Sequence, residues 1–213
     1  INLRQYGRDF PRSDSIRDFW TLLAWLEERL APDWAGHARW RLSSLEPGQL
    51  GEVALAALSD SRMVAPHLHI SLQSGSPSVL KRMGRGHYDP ATLPEFLGAL
   101  RRAWPVMGLG ADILMGFPGE SEAEFEETRA FAQGLPLTYA HVFPFSPRPG
   151  TSAAAMPGHL PRELAEERAA VIRDIASAKK EAFLRSLLER PVSKSGNTLR
   201  MLLESRDTGL GVS

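Results

Sequence analysis

The stretch HLHISLQSG at His67–Gly75 decides the fold, because an apolar run ends there in a glycine turn and a helix start. The later stretch GADILMGFPGE at Gly110–Glu120 has the same layout. Each predicts a β-strand that runs into a helix. In parallel α/β sheets ligands bind at such junctions, because strand ends and helix N-termini converge there. The two stretches therefore predict one shared pocket.

Composition limits the class of protein. The chain has 213 residues, 43% of them hydrophobic, which suits one large domain or a domain with an appendage. The formal net charge is zero, so no overall field attracts nucleic acid. The chain contains no cysteine, which excludes disulfides and thiolate metal sites within it.

Membrane insertion and secretion are not expected. No apolar run approaches the roughly 20 residues of a membrane-spanning helix. Nothing in the chain has the basic, apolar and small-residue order of a signal peptide. We therefore expect a cytoplasmic protein with no membrane partner.

Residue spacing predicts strands that alternate with helices. The predicted strands are 40–45, 68–72, 106–115, 137–143 and, in a new context, 199–204. The predicted helices are 14–30, 50–58, 77–83, 90–100, one that begins at Ser121 with Glu124 completing a capping box, and 161–188. Four alternating strands predict parallel β/α units, too few for a complete barrel of about 250 residues. We expect an α/β fold: a partial, truncated parallel β/α barrel over 1–155, a linker helix over 156–190 and the start of a small β module over 191–213.

Two histidines, His67 and His69, lie two residues apart on a strand, so their side chains share one face and can chelate a metal. Two ligands are insufficient, and further ligands would come from Asp112, His87 or His141. The alternative is that the histidines are structural and face a polar barrel interior. We favour that alternative.

Polar groups at strand ends are candidate ligand contacts. Gln73 and Ser74 offer an amide and a hydroxyl suited to a ribose or carboxylate, although turn capping also explains Ser74. Glu46 follows a third strand and can hold an ammonium or hydroxyl group, or cap a helix. Asp112 interrupts an apolar strand, where a carboxylate is unfavourable unless it is paired or faces water. Gly116 allows close backbone approach before a helix N-terminus that favours anions.

Five motifs in order resemble the radical S-adenosylmethionine methylthiotransferases. They are RLSSLEP (Arg41–Pro47), PHLHISLQSG (Pro66–Gly75), VLKRM (Val79–Met83), DILMGFPGE (Asp112–Glu120) and HVFPFSPRPGT (His141–Thr151). The first motif looks most like the branch that modifies N6-threonylcarbamoyladenosine beside the tRNA anticodon. Branches that act on isopentenyladenosine in tRNA, or on an aspartate of a ribosomal protein, usually differ there.

The resemblance implies a domain layout. Family members have an N-terminal domain with one 4Fe-4S cluster, a partial barrel that binds a second through C-x-x-x-C-x-x-C, and a C-terminal RNA-binding β module of the TRAM type. This chain has none of those cysteines. We therefore expect a fragment of the parent enzyme that lacks its cluster-binding N-terminal part and is inactive alone. The parent would use tRNA and an electron donor for the cluster.

The resemblance also implies contacts to S-adenosylmethionine. Gln73 and Ser74 would contact the ribose, and the strand and turn from Asp112 through Gly116 to Gly119 would flank the adenosine. Ser43 and Glu46 would approach the methionine end. Three residues of the last strand, Val142, Phe143 and Phe145, would line the adenine.

Two other functions compete with this interpretation. A metal-dependent barrel hydrolase would use His67, His69 and Asp112 to hold a water-activating ion. A non-catalytic RNA-binding fragment would contact phosphates through basic side chains, namely Lys81, Arg82, Arg85, Arg101 and Arg102.

Overall fold

The computed structural model describes residues 6–9, 16 and 18–189 of the chain. Six α-helices are present there: α1 (Phe19–Trp34), α2 (Glu52–Asp60), α3 (Pro77–Arg82), α4 (Leu93–Ala103), α5 (Glu122–Gly134) and α6 (Arg162–Leu188). Three strands alternate with them: β1 (His67–Gln73), β2 (Gly108–Met115) and β3 (Tyr139–Pro144). This order confirms the predicted α/β class.

The strands form one parallel sheet in the order β1-β2-β3. The predicted strand 40–45 was wrong as a regular strand. It lies along β1 but pairs only through isolated parallel bridges, from Trp40 to Val64 and from Leu45 to Ile70. Ser44 has a left-handed backbone with φ 59°, which breaks the extended conformation just before Leu45.

The two faces of the sheet differ in chemistry because successive strand residues point to opposite sides. One face is fully buried in the main core against α4, α5 and α6 and carries Leu68, Ile70, Leu72, Leu109, Ala111, Ile113 and Met115. The other face, called the polar face below, carries His67, His69, Ser71, Asp112, Leu114, Tyr139, His141 and Phe143. Candidate site residues therefore share a side of the sheet that core packing leaves open.

Side-chain caps fix where two helices begin. Asp18, not Asp14, caps α1: its Oδ1 accepts from the Thr21 N–H at 2.8 Å, and the Thr21 hydroxyl accepts from the Asp18 N–H at 3.0 Å. Asp14 lies outside the described residues. The predicted capping box of α5 is confirmed, since Ser121 and Glu124 each accept the other's backbone N–H.

Helix α6 is not a detached linker over its first half. It packs across β3 and β2 and buries an alanine-rich stripe with Ile172. The predicted boundary at residue 155 therefore does not separate this helix from the sheet. The predicted strand 199–204, with the rest of 191–213, lies outside the described residues. In the described part, no helix has the length and apolar content needed to cross a membrane.

Candidate functional site

The carboxyl ends of the parallel strands meet at one edge of the sheet, and the backbone there is strained. Of the described residues, only Ser44 and Gln73 have a positive φ without being glycine, at 59° and 66°. The β1–β2 register also shifts between Ile70 and Gln73. Left-handed backbone conformations of residues other than glycine are unfavourable by about 1–3 kcal/mol each. Both these conformations and register irregularities in strands are enriched at functional sites. Gln73 belongs to the first of the two stretches that predicted the pocket, and Ser44 belongs to the RLSSLEP motif.

Ser74 is fully buried, and its hydroxyl is used within the fold. Its Oγ hydrogen-bonds to Thr128 Oγ1 of α5 at 2.9 Å and accepts from the Ser76 N–H at 3.1 Å. This is the turn-capping role, so we leave Ser74 out of the candidate ligand site. Gln73, one residue earlier, is half-buried at the end of β1.

Glu46 lies at the same edge, with its carboxylate half-buried between two basic side chains. Arg85 donates to Glu46 Oε1 at 3.2 Å, and His87 Nε2 lies 3.4 Å from Oε2. Ser43, three residues earlier, is exposed. Glu46 therefore holds the 84–87 loop over the strand ends, and a carboxylate so placed suits a cationic ligand group.

The predicted adenine-lining residues divide between the two faces. Phe143 is 51% exposed on the polar face, with its ring centroid 6.4 Å from that of His141. Phe145 follows the strand and packs edge-on against Phe117 at 5.5 Å. Val142 instead points into the core with Ile113, because it alternates with its neighbours along β3. The Val142 side chain is therefore a core contact.

The Gly116–Glu120 turn is fixed by α6. Glu120 Oε1 accepts from the Gly116 N–H at 3.0 Å and from Arg168 at 2.8 Å. Gly116 has φ 78°, and a Cβ there would overlap the Ala165 Cβ of α6. Glycine is therefore required for packing against α6.

Carboxylates occupy the start of α5, where an anion-binding helix N-terminus was predicted. Glu124 accepts the Ser121 N–H and a bidentate pair from Arg82 at 2.7 Å, which lowers the pKa of Glu124 to about 2. Burial raises the pKa of Glu120, against the lowering effect of Arg168 and the Gly116 N–H. The chain therefore supplies its own anions at this helix start.

A cluster of aromatic and acidic side chains lies on the polar face. His69 Nε2 is 3.0 Å, and His141 Nδ1 3.2 Å, from the same Asp112 Oδ1 atom. Tyr139 Oη lies 2.9 Å from His69 Nδ1 and 3.0 Å from His67 Nε2. Sequence reasoning missed Tyr139, although its position two residues before His141 on one strand places both on the same face.

The metal-ligand set proposed for a hydrolase is not the set that the structure brings together. Potential ligand atoms of His69, Asp112 and His141 lie within 4.8 Å of one another, whereas His67 contacts Tyr139 and Arg41. Burial, with the charge of Arg41, lowers the pKa of His67 to about 4, so its ring is neutral at pH 7. His87, another predicted ligand, lies against the Glu46 carboxylate and is not part of this cluster.

The predicted phosphate-binding residues do not form one surface. Arg82 and Arg85 are paired with Glu124 and Glu46. Arg101 and Arg102 are exposed at the end of α4, just before β2 begins, and so lie toward the opposite edge of the parallel sheet. Charge pairing and position both disfavour a single RNA-binding patch built from these side chains.

Comparison with known proteins identifies the superfamily of this chain. The model of the radical SAM superfamily matches residues 21–132, which include β1, β2 and most of α5. The chain belongs to the radical SAM superfamily.

Among curated proteins, this radical SAM chain is similar to threonylcarbamoyladenosine tRNA methylthiotransferases named MtaB. It is 39% identical to the Treponema pallidum protein over 86% of this chain, and 37% identical to the Rickettsia prowazekii protein over 81%. The Aquifex aeolicus protein is 35% identical over 67%. The aligned regions cover only 35% to 39% of the length of these relatives.

An iron–sulfur cluster does not fit the residues of this chain. Such clusters are held by cysteine thiolates, with histidine replacing some of them in rare types. The chain contains no cysteine. The strand-end edge nevertheless retains groups suited to a nucleoside, namely the Gln73 amide and the exposed Phe143 ring.

Proposed function

We propose that this chain is the S-adenosylmethionine-binding section of a tRNA methylthiotransferase, with its sheet forming part of a β/α barrel. The observation that carries the proposal is the strained strand-end edge. There Ser44 and Gln73 hold left-handed backbone conformations beside a polar face that exposes Phe143. Similarity to three tRNA methylthiotransferases over most of the chain supports the same reaction class.

Each strand end has a distinct role in this proposal. The Gln73 amide hydrogen-bonds to the ribose, while Phe143 and Phe145 contact the adenine by stacking. Glu46 and Ser43 bind the methionine end, where the Glu46 carboxylate pairs with the ammonium group in place of Arg85 or His87. Asp112, in the middle of β2, and the turn at Gly116 flank the adenosine.

Catalysis requires groups that this chain does not hold. Cysteines outside the 213 residues would bind the cluster, which together with S-adenosylmethionine supplies the radical chemistry. The contribution of this chain is to fix the cofactor orientation and to exclude water. The isolated chain is accordingly expected to bind the cofactor without turnover.

The proposed substrate is N6-threonylcarbamoyladenosine in tRNA, which receives a methylthio group. The names of the relatives and the RLSSLEP motif support this choice over the other two substrates of the family. The proposed partners are therefore tRNA and an electron donor for the cluster.

The reaction is tested in cells that lack the gene encoding this chain. Nucleosides from their tRNA are analysed by liquid chromatography and mass spectrometry. We expect the methylthio form of threonylcarbamoyladenosine to disappear, to return with the wild-type gene and to stay absent with Gln73→Ala. Gln133→Ala, an exposed glutamine on α5, is the matched control and should restore it. Loss of methylthio-isopentenyladenosine, or of a ribosomal-protein modification instead, would refute the substrate.

Cofactor binding is tested separately on the purified chain. Titration with S-adenosylhomocysteine is expected to give saturable binding that Gln73→Ala and Phe143→Ala each weaken about tenfold, roughly the 1.4 kcal/mol of one lost contact. Absence of binding by the correctly folded wild-type chain would show that the site needs segments beyond it. Equal binding by both variants and wild type would refute the residue assignment.

A further inference from the structure

Three side chains from three neighbouring strands converge on the polar face. His69 of β1 and His141 of β3 both direct a ring nitrogen at Asp112 Oδ1 of β2, at 3.0 and 3.2 Å. One possible ligand atom from each residue lies within 4.8 Å of the other two. The set contains two imidazoles and one carboxylate, a donor combination typical of transition-metal sites.

We propose that His69, Asp112 and His141 bind one divalent transition-metal ion of the Zn²⁺ or Co²⁺ type. Zinc binds imidazole nitrogen and carboxylate oxygen at about 2.0–2.2 Å, so tetrahedral ligands stand about 3.4 Å apart. The two observed separations from Asp112 Oδ1 are already close to that value. Small side-chain rotations would therefore admit the ion, with a fourth position open to water beside the exposed His141.

The ring of His69 is held as a metal ligand would be. A ligating histidine usually donates its other ring N–H to a fixed partner, which sets its tautomer and orientation. His69 Nδ1 lies 2.9 Å from Tyr139 Oη, and that hydroxyl lies 3.0 Å from His67 Nε2. Donation from His69 to Tyr139, and from Tyr139 to His67, leaves His69 Nε2 free to bind the ion.

Space for the cluster is provided by Gly110, which lies opposite both His69 and Tyr139 in the sheet register. A Cβ at this position would overlap the Tyr139 ring and lie 2.6 Å from His69 Nδ1. Any other residue would therefore displace the ligand ring or its orienting partner. Within the described part of the chain, the Asp112 carboxylate is paired with these imidazoles and not with a lysine or arginine.

Titration of the tag-free, metal-stripped 213-residue chain with zinc chloride or cobalt chloride alone tests the site. The absence of cysteine means that thiolates contribute nothing to binding. We expect one ion per chain, and the visible absorption of bound Co²⁺ should be that of nitrogen and oxygen ligands. Zn²⁺ should also raise the Tm, because it binds the folded form preferentially.

Variants distinguish this site from adventitious binding. His141→Gln and Asp112→Asn should each weaken binding at least tenfold, and Tyr139→Phe, which removes only the orienting hydroxyl, by 10- to 100-fold. His141 is exposed, so its replacement should preserve the fold, which circular dichroism would verify. His159→Gln, an exposed histidine near Ala154, is the matched control and should bind as wild type does.

Failure of the folded wild-type chain to bind either ion stoichiometrically would overturn the proposal. So would Zn²⁺ affinity in Asp112→Asn or His141→Gln equal to that of wild type, or a Tm rise that persists in His141→Gln. These outcomes are separable from those of the S-adenosylmethionine proposal, which is measured with S-adenosylhomocysteine and with the variants Gln73→Ala and Phe143→Ala.

Discussion

Replacing Arg168 with methionine tests whether α6 fixes the turn at the end of β2. The Arg168 side chain is 5% exposed and the Glu120 side chain fully buried. Arg168 donates to the Glu120 carboxylate at 2.8 Å, to its backbone carbonyl at 3.0 Å and to Glu122 at 2.8 Å. Methionine fills much of the same volume, so the substitution mainly leaves a buried carboxylate without its cation.

Breaking a buried ion pair from one side destabilises proteins by about 3–5 kcal/mol, because the remaining charge stays buried and uncompensated. We expect a loss in this range for Arg168→Met at pH 7.5. At that pH the folded variant must either keep the Glu120 carboxylate charged and unpaired or protonate it, and both cost free energy. Burial already raises the pKa of Glu120, and removing the guanidinium raises it further. A carboxyl with a raised folded pKa stabilises at low pH and loses that stabilisation as pH rises. The defect should therefore shrink toward about pH 5.

Urea unfolding followed by circular dichroism at both pH values gives the change in the free energy of unfolding. The double variant Arg168→Met with Glu120→Gln should recover part of the loss, because the buried charge is gone. Arg129→Met removes the exposed pair with Glu126 on α5 and should leave the urea midpoint unchanged. A loss below about 1 kcal/mol, a defect independent of pH, or no recovery in the double variant would refute this reasoning.

Three further predictions concern single positions near the strand ends. Gly116→Ala should destabilise the chain by about 2–4 kcal/mol in urea unfolding, since it adds a crowded Cβ at a positive φ. The control is Gly98→Ala, in an open helical position, which should be neutral or stabilising. Glu124→Gln should flatten the fall in stability between pH 4.5 and about 2 in acid titrations, because Arg82 lowers the pKa of Glu124 and that stabilisation is lost as pH falls. Ser74→Ala should lower the free energy of unfolding by about 1–2 kcal/mol while leaving S-adenosylhomocysteine binding unchanged, and weaker binding would restore Ser74 to the ligand site.

Local patterns predicted the elements whose formation depends on local chemistry. The capping box at Ser121 marked the start of α5 correctly, because the two hydrogen bonds involve residues only three apart. The apolar alternation at Leu68, Ile70 and Leu72 predicted β1 for a similar reason, since one face of a strand must be buried.

Positions set by distant contacts could not be predicted this way. The long helix was predicted to be a linker, whereas its buried stripe is mostly alanine in the structure. These small side chains allow α6 to pack closely against the Gly116 turn. Ser74 has two chemically reasonable roles, and only the position of Thr128 on α5 decides between them. Ser44 has no local signal for a left-handed backbone, because such strain depends on the surrounding structure.

The metal-ligand candidates show that residue spacing along one strand does not identify ligands that come together from different strands. Spacing along β1 favoured His67 with His69, but their rings both contact Tyr139 and do not converge on one carboxylate. Convergence instead arises across strands, because the parallel register places Asp112 beside His141. A register is fixed by backbone pairing over the whole sheet, so no single strand encodes it. Once β2 and β3 are aligned, however, the third member of the cluster follows from the sequence, and the metal titration tests that cross-strand geometry directly.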